Sequence, residues 1–130
     1  MIKPLLTKFI LLAVMLIAGY DGGGISTAIA DQDLGRALVR QHCTRCHVVA
    51  DINPYGGIGS TPSFEAMKTL SDWRERFEIF YLLPPHPSVI RIDGISEERP
   101  ENLPAFSHEI LLTIDEHEAI LSYVDGLEKK

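Results

Sequence analysis

The hydrophobic pattern divides the chain in two. Lys3 and Lys8 are followed by an unbroken apolar run over residues 9–18, and a small-residue stretch then ends in Ala28-Ile29-Ala30. A positive start, a short apolar centre and small residues before a cleavage point form the pattern of a secretion signal. Residues 1–30 are therefore expected to be removed as a signal peptide, leaving residues 31–130 as one domain. Ten apolar residues are too few to cross a bilayer comfortably. An uncleaved anchor is the alternative, and Tyr20 stands where a lipoprotein signal would need Cys.

The remaining 100 residues hold four helical patterns. The first covers about residues 33–42, with Asp31 or Asp33 as cap and Leu34, Ala37 and Leu38 as its apolar face. The second opens at Thr61 with Pro62 in the first helical position, and Phe64, Met67 and Leu70 follow at near-helical spacing. The third opens at Ser71, sets Trp73, Phe77 and Phe80 or Tyr81 on one side, and stops at Pro84-Pro85. The last begins with Thr113 and Glu116, the spacing of a capping box, and carries Ile120, Val124 and Leu127 as a stripe with Tyr123 beside it. Between Leu82 and Leu112, prolines at 84, 85, 87, 100 and 104 break any regular pattern. Val89-Ile90 with Ile92 is a candidate strand, but a lone strand has no visible partner. The expected fold class is all-α. So long a loop in a small domain needs something to pack against, and a buried flat cofactor would supply that surface.

Charge narrows the partners. Removing Lys3, Lys8 and Asp21 from 12 basic and 18 acidic side chains leaves 10 and 17, a net charge of −7 for residues 31–130. An acidic surface repels nucleic acid and anionic lipid, and favours partners with a basic docking face. Neither nucleic acid nor a membrane span after signal cleavage is expected.

The two cysteines stand three positions apart, in Cys43-Thr44-Arg45-Cys46-His47. This is C-x-x-C-H, the attachment sequence for c-type haem. On a helical turn, two thiols at this spacing can add to the two vinyl groups on one porphyrin edge, and the next residue's imidazole then reaches the iron. A thioredoxin-like dithiol needs a preceding strand, and here a helix precedes. Structural zinc needs two more ligands at suitable spacing. A disulfide closing so small a loop adds little stability and leaves His47 unexplained. Cys43 and Cys46 are therefore expected to hold one haem c covalently, with His47 as proximal axial ligand.

At these residues the sequence resembles the class I cytochrome c family, over most of residues 33–128. Residues 35–47 look like the family's N-terminal helix and haem motif, and residues 120–124 look like its C-terminal helix. The resemblance implies a small helical domain wrapped around one haem, with Gly35 and Tyr123 meeting where the two helices cross. It also implies that the Pro62 carbonyl accepts a hydrogen bond from the proximal imidazole, a contact that orients the ring. A helix-starting proline is the alternative for Pro62.

The resemblance breaks at the sixth iron ligand. The family places Met before Pro ahead of its last helix; here Leu103 precedes Pro104, and Leu cannot bind iron. Met67 fits core packing. His42 adjoins the motif on the wrong side to reach across, and His117 falls in line with the last helix's packing stripe. His86, in Pro84-Pro85-His86-Pro87, is the candidate distal ligand because the segment has few conformations to lose on ordering; His108 is the alternative. An open position, with Asn102 nearby, is a third reading. Trp73, Phe77, Tyr81 and Phe106 are candidate haem walls or an ordinary aromatic core.

These residues point to a periplasmic monohaem c-type cytochrome that carries single electrons, not an enzyme. The alternative is a haem-based small-ligand binder or sensor with an open or weakly held sixth position. A small peroxidase would need distal acid and base groups that the sequence does not single out.

Overall fold

The computed structural model describes residues 23–102 and 108–128. Helices dominate. Helix α1 spans Gly23–His42, α2 Phe64–Met67, α3 Trp73–Glu78 and α4 Ile114–Gly126. Short 3-10 turns cover Phe80–Leu82 and His86–Ser88. Strands β1 (Ile90–Ile92) and β2 (Ile110–Leu112) pair in parallel, with Ile90 opposite Ile110 and Ile92 opposite Leu112. Among the described helices none is long and apolar enough to cross a membrane.

The pairing of α1 with α4 is the frame of the domain. Gly35, Leu38 and Val39 of α1 are buried, as are Ala119, Ile120, Tyr123 and Val124 of α4. An ideal Cβ built on Gly35 would lie 1.9 Å from the Ala119 carbonyl oxygen and 2.8 Å from Tyr123 Cβ. The crossing of Gly35 and Tyr123 is thus present, and it requires glycine.

This close approach also turns the buried face of α1. Leu34 and Ala37 are exposed, and positions 35, 38, 39 and 42 face inward. Leu38 alone of the expected apolar face is buried. Neither Asp31 nor Asp33 caps α1, because the helix continues upstream through both to Gly23, and both carboxylates are exposed.

The other helix starts are settled by local hydrogen bonds. Ser63, not Thr61, caps α2: its hydroxyl accepts from the Ala66 N–H at 3.1 Å, while Pro62 stays outside the helix. Ser71 does not open α3. Asp72 holds the cap position without capping, since its carboxylate accepts from Arg76 Nε at 2.9 Å instead. The capping box at Thr113 and Glu116 forms in both directions.

A three-residue strand leaves no periodicity to detect, and the partner of β1 lies beyond the Pro-rich loop. That is why the candidate strand looked unpaired. The pair buries Ile90, Ile92 and Leu112 beside Phe64 and Phe77. Full burial of such a side chain contributes about 1.5–3 kcal/mol.

Two polar clamps close the frame. Lys68 is buried, and its ammonium donates to the carbonyls of Val124 (2.6 Å), Asp125 (3.0 Å) and Leu127. It thereby meets the free carbonyls at the α4 C-terminus, where a cation is favoured. The second clamp centres on Asp51. Tyr123 Oη donates to its Oδ1 at 2.6 Å, and Arg36 Nε donates to its Oδ2 at 3.1 Å.

Partial burial alone would raise the Asp51 carboxyl, but the bonds from Tyr123 and Arg36 outweigh it and hold the group below its ordinary value. A lowered folded-state value stabilises the fold above the ordinary carboxylate range, and that contribution is lost as pH falls through the folded value. Urea melts are therefore expected to show stability falling below about pH 4, with a smaller fall in Tyr123→Phe.

Candidate functional site

The C-x-x-C-H segment continues from the last turn of α1. The Cys43 N–H donates to the Val39 carbonyl at 2.9 Å, and the Cys46 and His47 N–H groups both donate to the Cys43 carbonyl at 3.1 and 2.9 Å. This tight turn brings Cys43, Cys46 and His47 to one wall of a cavity of about 430 Å3. The thiols are free, with Cys43 half-buried and Cys46 exposed. Burial, reinforced by Cys46, pushes the Cys43 thiol up to about 12.

A glycine-rich loop supports the turn from below. Gly57 has a φ of 76°, and a Cβ there would lie about 3.0 Å from both the His47 carbonyl carbon and the Val48 nitrogen. The next N–H, of Ile58, donates to the Cys46 carbonyl at 2.9 Å. Asn53 is the staple: its Nδ2 donates to the Thr44 and His47 carbonyls, both at 3.0 Å, and its Oδ1 accepts from the Val49 N–H at 2.8 Å. The sequence reading missed Asn53. Its only local signal is a turn-forming residue between the motif and the glycines.

His47 is oriented by its Nδ1–H, which donates to the Pro62 carbonyl at 2.8 Å. The helix-start alternative for Pro62 therefore gives way to the imidazole contact. Phe64 meets the same ring edge-on at 5.3 Å between centroids. Burial is the largest influence on the His47 ring and lowers its pKa; the Pro62 carbonyl opposes this and His86 adds to it. The neutral ring is the form that offers a lone pair.

His86 occupies the opposite wall. Its Nδ1–H donates to the Leu83 carbonyl at 2.9 Å, and Phe80 packs edge-on at 5.5 Å. The His47 and His86 rings lie 5.9 Å apart between centroids with only 8° between their planes. That separation is too long for face-to-face stacking. Among the described residues neither Nε2 has a hydrogen-bond partner.

The other candidates fall elsewhere. His108 is exposed and does not line the cavity. Leu103 and Phe106 lie outside the described residues, and Asn102 is exposed. His117 sits behind the wall, 5.6 Å from both the Phe80 and Tyr81 rings. His42 lines the cavity on the cysteine side, where it cannot face His47 from across. Met67 is half-buried against the core and reaches the cavity wall. Of the expected aromatic walls only Phe77 lines the cavity among the described residues; Phe80 takes the place given to Trp73 and Tyr81.

The donor set fits a haem. A cavity of about 430 Å3 lies within the range of cofactor sites, about 300–1,000 Å3. The His47 and His86 rings line the same cavity with centroids 5.9 Å apart, so both imidazoles are at hand to serve one bound iron. The thiols line the same cavity, as attachment at its edge requires. A zinc centre has less support: among the described residues no three His, Cys, Asp or Glu converge on a point.

Comparison with known proteins agrees in kind. A cytochrome c-552 of Bradyrhizobium diazoefficiens is 29% identical over 76 residues, covering 58% of this chain and 72% of that protein. The chain is similar to a c-type cytochrome. No family model and no solved structure matches it.

Proposed function

We propose that the protein is a monohaem c-type cytochrome carrying single electrons between redox partner proteins. The nearly parallel rings of His47 and His86, 5.9 Å apart in one cavity and each with its Nδ1 held by a backbone carbonyl, carry this reading. Bound haem supplies an iron couple that takes up or releases one electron. Cys43 and Cys46 would hold it through thioether bonds, and His47 and His86 would supply the imidazole nitrogens for its iron. Fixing both imidazoles by second hydrogen bonds keeps ligand orientation the same in both oxidation states, which suits rapid electron exchange. No side chain acts as acid, base or nucleophile in this role.

The placement of His86 favours a carrier over a small-ligand binder with an open iron position. Residues 31–130 form the working domain, exported to the periplasm after cleavage at Ala30. Optical spectra of the haem-loaded protein test the carrier reading. They are expected to be low-spin in both oxidation states, to lack the long-wavelength sulfur–iron band, and to titrate as one reversible electron. The potential is expected well below that of Met-ligated relatives, because a thioether favours ferrous iron. A high-spin ferric spectrum would favour the ligand-binding alternative instead.

A further inference from the structure

His117 stands half-buried on the first turn of α4, behind the cavity wall and not in it. Its Nε2 is buried and has no hydrogen-bond partner among the described residues. The Phe77 and Glu78 carbonyls, at the C-terminal end of α3, accept from the ring, so Nδ1–H is the donor. Carbonyls at a helix end lack partners within the helix, and this bond supplies one. Burial is the largest influence on the ring and lowers its pKa, so the imidazole is neutral. An unpartnered buried nitrogen costs stability, a cost that an apolar side chain would avoid. The histidine does more than fill space: it ties the end of α3 to α4.

The same ring reaches the distal wall through one neighbour. Phe80 lies 5.6 Å from His117 and 5.5 Å from His86 between ring centroids, and Tyr81 meets His117 edge-on at 5.6 Å. Ahead of His86 the backbone bonds are local. The N–H groups of Leu82, Leu83 and His86 donate to carbonyls three residues back. Such turns keep their own shape but do not fix their place relative to the Cys43–His47 turn. Helix α4 can fix it, because it packs on α1 at Gly35, and the motif turn continues from the end of α1.

We propose that His117 is a positioning residue for the distal imidazole: bonded to the end of α3 and packed on Phe80, it holds His86 across the cavity from His47. This rests on the reading of His86 as an iron ligand. Held in place, His86 rebinds after each thermal dissociation before a small molecule takes the iron. His117 thereby keeps the site closed to ligands and open to electrons.

Carbon monoxide binding to the reduced, haem-loaded full chain tests this. At saturating carbon monoxide the stopped-flow rate reports the departure of His86 from the iron. His117→Ala is expected to raise that rate about tenfold or more, the usual effect of losing a group that orients a metal-ligating imidazole. His117→Asn, whose amide can still bond the α3 carbonyls, supplies a second folded variant and should show an increase of about fivefold. Phe80→Leu should act like His117→Ala. The double variant should be no faster than the faster single, because residues acting through one contact are not additive. Gly35→Ala is the control for general loosening. It strains the helix crossing and leaves the Phe80 contacts in place, so its rate should stay within about twofold of wild type.

A folded His117→Ala or His117→Asn protein with the wild-type rate would overturn the proposal. Gly35→Ala as fast as His117→Ala would overturn it, since loss of stability would then explain the effect. Rates that multiply in the double variant would overturn the route through Phe80. A wild type that is already high-spin, with a rate that rises linearly with carbon monoxide, would end the reading of His86 as ligand, and that is visible before any variant is made.

Discussion

His86→Ala is expected to turn the ferric protein high-spin and to open the reduced protein to carbon monoxide. The ring lies opposite His47 at 5.9 Å, and among the described residues its Nε2 has no other hydrogen-bond partner. On the proposed ligation its loss leaves no replacement on that wall among the described residues: His108 is exposed and away from the cavity. His108→Ala should therefore leave the spectrum as it is. The fold should survive His86→Ala, because the lost bond from Nδ1 to the Leu83 carbonyl contributes only about 0.5–1.5 kcal/mol. The variant is then a folded protein with altered ligation, and circular dichroism checks that separately. Spectral loss in His108→Ala alone would transfer the role to His108. A sulfur–iron band that disappears in Met67→Leu would assign the position to Met67.

Gly35→Ala is expected to lower stability by about 2 kcal/mol or more. Two effects oppose each other. Alanine gains about 1 kcal/mol over glycine in a helix interior. Against that, the new Cβ would lie 1.9 Å from a carbonyl oxygen of α4, and backbone cannot step aside as a side-chain tip can. Overpacking of this kind costs about 1–3 kcal/mol or more, and here it also parts the Tyr123–Asp51–Arg36 clamp. In a domain of this size about 1 kcal/mol moves the melting temperature by 4–8 °C, so a drop of about 10 °C or more is expected. Gly59→Ala is the control, since nothing lies within 4 Å of a Cβ there. A Gly35→Ala melt within a degree or two of wild type would contradict the close crossing.

How much was legible follows from how local each signal is. The α4 capping box lies within four residues and depends on side chains beside the backbone they cap, so it could be read directly. The placement of Cys43, Cys46 and His47 on one wall follows from a single tight turn and was equally legible. His86 was singled out because prolines flank it on both sides; its position opposite His47 is a tertiary fact that no local pattern encodes. The α1 face was misjudged because Gly35 has no side chain to mark it as buried, while Leu34 beside it looks apolar and is exposed. The β1–β2 pair was missed as a pair because its three-residue strands are separated by the long Pro-rich loop. Lys68 and Asn53 act through backbone carbonyls, and recognising a carbonyl partner requires the fold first.

Covalent attachment at Cys43 and Cys46 is the claim on which the rest depends, and acid–acetone extraction followed by mass measurement tests it most directly. The account predicts that colour stays with the polypeptide and that its mass equals the chain plus one haem. Cys43→Ala or Cys46→Ala should weaken attachment, and His47→Ala should abolish normal ligation while leaving the thioethers in place. Haem passing freely into the solvent from the wild type, with the bare chain mass left behind, would contradict the account.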